Sequence, residues 1–207
     1  MKDIIITLTG ISGSGKTTVL RNLEEDFNYH KVITCTTREP RPSENEVHGE
    51  DYFFLDKEDF KSQVKENKFV ESEEFDGNFY GTRWAEINSE TTIPVAILEP
   101  NGAQNMKELF SQKGSKYEVI KVLLECPKEV AIERITKRDS TIPERLEKRL
   151  NSLNYKETDW QDRDYDLRLP FGSDISKIND LIKEKILEVQ NEMKNSQKKK
   201  IRPKRCS

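Results

Sequence analysis

The residues best equipped for chemistry stand near the start of the chain, where Gly10 to Thr18 reads GISGSGKTT directly after the apolar run Ile4-Ile5-Ile6-Thr7-Leu8 and Thr9. Gly10-x-x-x-x-Gly15-Lys16-Thr17 is the pattern of a loop between a strand and a helix whose main-chain N–H groups cradle phosphates. Gly10, Gly13 and Gly15 allow backbone angles and close approach that a Cβ would obstruct, and the helix N-terminus behind them favours an anion. Lys16 is expected to neutralise the β and γ phosphates of a nucleotide, with Ser12, Gly13, Ser14, Gly15 and Thr18 completing the grip. Thr17 offers a hydroxyl to Mg²⁺. Glu99, at the end of the buried run Ile93 to Leu98, is the expected acidic partner for that metal, through its water.

A phosphate loop of this kind serves GTPases, motors, transporters and kinases alike, so the second reactant has to be sought elsewhere. TCTTREPR, Thr34 to Arg41, sets Arg38 and Arg41 three residues apart. Two forked guanidiniums can hold a phosphate dianion bidentately, although in isolation such a pair reads more readily as a solvated, displayed surface.

Thr34, Arg38, Arg41, Glu46, Gly49, Asp51 and Tyr52 together resemble the signature of the guanylate kinase family. The resemblance covers about Lys2 to Ile186. It implies Mg²⁺-assisted, in-line transfer of a phosphoryl group from ATP to GMP, dGMP or both. It further implies that Tyr52 and Tyr80 share the acceptor phosphate with Arg38 and Arg41, and that Glu46 belongs to the same site, where Glu44 competes for its role. FVESEEFDGNFYGT is similar to the family segment in which a Glu reads the guanine edge. Glu71 occupies that place, and a carboxylate there accepts from both N1–H and the 2-amino group, a pair that adenine lacks. Thr34 and Thr82 are expected to bond other polar atoms of the base, with Glu99 beside the acceptor as well. ERITKRDSTIPERLEKRL resembles the family's lid, about 134–149, and Arg138 and Arg149 match its arginines, with Arg134 and Arg145 second. The groups expected to stabilise the transferring phosphoryl are therefore Lys16, Arg38, Arg138 and Arg149.

Three departures accompany the resemblance. PSENE makes the spacing from Arg41 to Glu46 two residues longer than usual, the family's Asp-x-Asp is reduced to Ile97-Leu98-Glu99, and the Asn-Asp-Asp-like segment framing the donor purine is not evident in LRLPFGSD. Two alternatives stay open: a kinase for another phosphate-bearing acceptor, and a non-catalytic guanylate-kinase-like module that binds a phosphorylated peptide.

The elements that must carry these groups follow from periodicity. Ile4–Leu8, Lys31–Thr36, Ile93–Leu98 and Tyr117–Leu124 read as buried strands, and Lys16–Phe27, Lys57–Glu66, Lys128–Lys137, Pro143–Asn154 and Ile175 to about Lys194 as helices. Asp56 is placed to cap the second helix, and FVESEEF and GNFYGTRW form a hairpin about Asp76-Gly77. The alternation predicts an α/β fold, a parallel sheet flanked by helices like that of other phosphate-loop NTPases, interrupted by a β-rich insertion; the resemblance implies that this insertion binds the acceptor and adds the lid. The core is assigned to 1–33 and 91–193, the insertion to 34–90.

The 207 residues suit one domain with an insertion. Residues 194–207 hold seven Lys or Arg and no acid, so the net charge of -3 leaves -10 for the rest of the chain. That tail reads as disordered, with weak contact to nucleic acid or an anionic surface as its functional alternative, and nucleic acid is not otherwise expected as a partner. Cys35, Cys126 and Cys206 are isolated, which excludes a disulfide framework and a zinc site and suits a reducing cytoplasm. No stretch approaches the roughly 18 apolar residues of a membrane span, and a strand opens within three residues of the start, leaving no room for a signal peptide. The expected partners are ATP and GMP or dGMP, bound by a monomer or homodimer.

Overall fold

In a computed structural model, residues 3–26, 28–41, 45–75, 77–89, 91–112, 114–139 and 163–201 are described, with positions 143, 146, 147 and 150, and excepting the side chains of 138, 139 and 197–201. β1 (Asp3–Thr9) runs through the middle of a five-stranded parallel sheet. It lies between β7 (Ile93–Ile97) and β8 (Tyr117–Leu124), with β2 (Tyr29–Lys31) and β9 (Leu167–Leu169) at the edges, in the order β2-β7-β1-β8-β9. Leu8 stands opposite both Ile97 and Val122, so the carboxyl ends of the central strands reach one edge together.

Continuous apolar runs form these strands because both faces are covered. Ile4, Ile6 and Leu8 pack with Val19, Leu20 and Leu23 of α1 (Lys16–Glu24) and with Ile178, Ile182 and Ile186 of the last helix, α6 (Ile175–Ile201). On the opposite face Ile5 and Val119 pack with Ala103, Met106 and Phe110 of α4 (Pro100–Ser111). α5 (Lys128–Asp139) follows β8, and Ala131 and Ile135 are its fully buried residues.

The second sheet has the order β4-β3-β6-β5, from Phe53–Phe54, Cys35–Thr36, Asn78–Arg83 and Phe69–Phe75 respectively. It lies wholly between residues 34 and 90. α2 (Lys57–Lys65) covers it through Phe60, which stacks on Phe69 and Phe79, and the short α3 (Trp84–Ile87) leads back to the first sheet. Val70 of β5 joins the core face occupied by α4, which fastens the two sheets to each other.

Several expectations are revised. The single strand predicted over Lys31–Thr36 is two, because the chain leaves the parallel sheet after Val32, whose N–H bonds Val95 O, and enters the other at Thr34, whose carbonyl accepts from Phe53 N. β9 was not anticipated: three residues at a sheet edge carry too short a pattern to register. α6 continues past Lys194 to Ile201, so the first part of the basic tail is helical rather than disordered. Lysine and glutamine propagate a helix that packing has already nucleated. Positions 140–142, 144, 145, 148 and 149 of the predicted lid, and most of the helix predicted over Pro143–Asn154, lie outside the described residues.

Asp56 caps α2 as expected, its Oδ1 accepting from Asp59 N at 2.7 Å. Asp56→Ala should lower unfolding stability by about 1 kcal/mol, read as a shift in urea midpoint at constant slope.

Candidate active site

The loop between β1 and α1 is held by backbone geometry. Gly13 and Gly15 have φ of 83° and 100°, where an L side chain is strained, and a Cβ at Gly13 would lie 3.0 Å from Ala131 O of α5. Lys16 folds over the loop, its Nζ donating to Gly10 O at 2.6 Å and Ile11 O at 3.1 Å, so the ammonium stands where a phosphate seated on the loop would meet it. Ser14 Oγ is buried and has no hydrogen-bond partner among the described residues, a group that a phosphate oxygen would satisfy. Thr17 and Thr18 are exposed on the same wall.

Arg38 and Arg41 are not displayed on a solvated loop. Glu46, with its side chain only 5% exposed, takes the Arg38 fork bidentately, Nη1 to Oε2 at 2.8 Å and Nη2 to Oε1 at 2.9 Å. The same carboxylate accepts from Arg41 N at 2.7 Å and Arg41 Nη1 at 3.4 Å. Burial works against the Arg38 charge, but the Glu46 bonds outweigh it and the guanidinium pKa is raised. Arg38 also lies 5.2 Å from the centre of the Tyr52 ring, and its Nε is buried without a hydrogen-bond partner among the described residues. Burial pushes the Tyr52 hydroxyl up in pKa, against the pull of Arg41 and Arg38. Asp51 accepts from Val47 N at 2.9 Å, closing the turn that brings Glu46 and Tyr52 to the same arginine.

Glu71 reaches its place through an irregularity in β5. Register with β6 shifts between Phe69 and Glu71, so two successive residues, Val70 and Glu71, both point inward, one into the core and one into the pocket. Glu71 is 7% exposed and accepts from Thr82 Oγ1 at 2.6 Å. Burial, with a smaller push from Glu73, raises its pKa to about 7 despite the Thr82 bond. The first turn of α4 backs it: a Cβ on Gly102 would lie 3.0 Å from Glu71 Oε2 and 3.4 Å from Glu73 Oε1.

These parts face one cleft of about 900 Å³ along the carboxyl edge of the parallel sheet. The phosphate loop, Lys16, Thr17 and Glu99 line its middle, Thr34, Arg38, Arg41, Tyr52, Glu71 and Tyr80 one end, and Arg134 with Pro170 to Ser173 the other. Residues 1–189 match the guanylate kinase family model. The chain belongs to the guanylate kinase family. It is similar to the guanylate kinase of Prochlorococcus marinus (strain MIT 9312), 38% identical over 73% of this chain and 81% of the relative. It is 31% identical to that of Clostridium tetani (strain Massachusetts / E88), over 74% of each. In fold it resembles the solved guanylate kinase of Anaplasma phagocytophilum, with a TM-score of 0.63 and 24% identity over 91% of this chain and 86% of that one.

Within this guanylate kinase framework the structure redistributes some expected parts. Thr82 is fully buried behind Glu71 and bonds it, so its hydroxyl acts on the carboxylate. Glu46 likewise acts on the two arginines, and its rival Glu44 lies outside the described residues. Arg149 and Arg145 also lie outside them, and Arg138 is described only as backbone of α5. Arg134, the second-ranked lid arginine, stands on the cleft wall with Nη1 donating to Gly13 O at 2.9 Å. Its position one helical face from Gly13 needed the α5 packing to become visible. Cys35 is fully buried and its thiol is pushed up to about 11, chiefly by burial, which suits a packing residue and not a nucleophile. His30 is half-buried between Thr92 Oγ1 and Glu86 O.

Glu46→Gln should keep the shape but remove the charge that fixes both guanidiniums. Steady-state kinetics should show the acceptor KM raised about tenfold or more, from charge-assisted bonds worth about 1.5–3 kcal/mol, with the donor KM unchanged.

Proposed function

We infer that the protein is an ATP-dependent kinase that converts GMP, dGMP or both to the diphosphate. The observation that carries this reading is the single cleft in which a phosphate loop with Lys16 and Thr17 faces Arg38, Arg41 and Glu71. The acceptor's phosphate sits between the two guanidiniums, with the hydroxyls of Tyr52 and Tyr80 toward it, and its guanine edge meets Glu71, assisted by Thr34. A phosphate oxygen of the acceptor attacks the γ-phosphorus in line, the bond to the β,γ-bridging oxygen breaks, and ADP leaves with that electron pair. Lys16, Arg38, Arg134 and the lid arginines Arg138 and Arg149 supply positive charge around the transferring group.

The residues present fit Mg²⁺ held mainly by the nucleotide. Thr17 offers a hydroxyl, Glu99 a carboxylate through water, and no cluster of three His, Cys, Asp or Glu among the described residues forms a cage for it. The ion would neutralise charge on the β and γ oxygens. No helix among the described residues is long and apolar enough to cross a membrane, and Cys35 and Cys126 are free thiols, which supports a reducing, cytoplasmic setting.

An assay of ADP release with ATP and Mg²⁺, comparing GMP, dGMP, AMP, dTMP and CMP, tests the reading. GMP or dGMP should be the substrate; Lys16→Ala should cut kcat by about 10²-fold or more, and Glu71→Gln should cut kcat/KM for guanine acceptors about 10- to 100-fold. Turnover of a non-guanine acceptor in preference would overturn the guanine assignment, and nucleotide binding without any turnover would favour the binding module.

The raised pKa of Glu71 adds a pH signature. Unfolded, the group titrates near 4.3; folded, it keeps its proton to about 7. Between these values unfolding releases a proton, so the free protein loses stability as pH rises from about 4.5 to 7. Accepting from guanine N–H groups needs the ionised form, so acceptor affinity should increase as pH rises to about 7 and then level. Isothermal titration of GMP at pH 6, 7 and 8 should show this, and Glu71→Gln should flatten it.

A further inference from the structure

In-line transfer fixes which end of the cleft each nucleotide occupies. The acceptor groups gather at the β7 side of the phosphate loop, with Glu99 and the Glu71 pocket, so the γ-phosphate points that way and the donor's nucleoside must extend toward β8 and β9. There the chain leaves β9 through Pro170, Phe171, Gly172 and Ser173. Phe171 is 44% exposed, a large aromatic side chain on a cleft wall and outside every core cluster. The Arg134 guanidinium lies 5.5 Å from its ring centre and is tied to the phosphate loop by its bond to Gly13 O.

This wall contrasts with the acceptor end. Glu71 there is a buried carboxylate able to tell one base edge from another. At the donor end Pro170 and Gly172 bring no polar side-chain group, the Ser173 hydroxyl can donate or accept and so suits either purine edge, Arg134 can only donate, and Glu125, just past the carboxyl end of β8, faces Arg168 at 3.5 Å. An aromatic ring beside a guanidinium is a flat surface on which any base can stack, because every base has a π face.

Given the kinase reading above, on which this rests, we propose that Phe171, backed by Arg134, is the platform for the donor base and that the donor is chosen by stacking, so that GTP and ITP replace ATP. The enzyme is thus strict toward its acceptor and permissive toward its donor.

The test pairs two measurements on the full chain: conversion of radiolabelled GMP to labelled GDP with ATP, GTP or ITP, and displacement of a fluorescent ADP analogue by the same three nucleotides. The wild type should use the three donors within about tenfold of one another in kcat/KM. Phe171→Ala should raise the KM for all three by about 5- to 100-fold, in step, leaving the GMP KM unchanged, and Phe171→Trp should restore them. A wild-type preference for ATP above about hundredfold would overturn the proposal, as would donor KM values that Phe171→Ala leaves within twofold, or a GMP KM that moves equally. If no donor yields labelled GDP, the proposed activity falls, while the displacement series still decides whether Phe171 carries the donor base.

Discussion

The pairing of β1 with β7 on one side and β8 on the other is the constraint from which the cleft follows. Parallel strands in register end along a common edge, and in open α/β sheets ligands bind outside those carboxyl ends. Because β1 is central, the loop it feeds is flanked by Glu99 after β7 and by the segment after β9 beyond β8. On the proposed reading, triphosphate, acceptor and donor base lie along one line that the strand order sets before any side chain is considered. The apolar faces of Ile4 to Leu8, covered by α1 and α6 on one side and α4 on the other, keep that edge rigid.

Burial decides which of the many charges matter. A chain with 73 acidic and basic side chains makes numerous surface pairs, such as Lys116 with Asp3, each worth about 0–1 kcal/mol. Glu46 and Glu71 differ because little water reaches them. One is stabilised by two guanidiniums and fixes both at one end of the cleft. The other, among the described residues, accepts from the hydroxyl and backbone of Thr82 and faces a neighbouring carboxylate, with no cation against it, and its proton is correspondingly hard to remove. The same fold therefore holds one carboxylate ready for cations and another ready for N–H donors.

The phosphate loop and the strands beneath it were legible in the sequence because local chemistry determines both: glycines at Gly10, Gly13 and Gly15 followed by Lys16-Thr17, and apolar runs long enough to show. Arg38, Arg41 and Glu71, which the fold brings to one cleft, were singled out by their spacing and by a family resemblance. Other features depend on contacts distant in sequence. The bulge that turns both Val70 and Glu71 inward breaks the alternation from which a strand is read. Glu46 could not be chosen over Glu44 until its carboxylate met both arginines. Arg134 became a cleft residue only when α5 was laid against Gly13, and Phe171 follows a three-residue edge strand too short to notice.

The Arg38–Glu46–Arg41 cluster has a kinetic consequence. Its formal charge is only +1, and it sits in a body that carries about -10 outside the basic C-terminal segment. At physiological ionic strength fields between exposed charges fade over roughly 8 Å. A nucleotide polyanion approaching from solution thus feels little of either charge until it enters the cleft, and attraction begins only at contact distance. Capture depends on random encounter and not on long-range steering, so selectivity rests on how long a ligand stays, the property that a prearranged pair of guanidiniums is best suited to control.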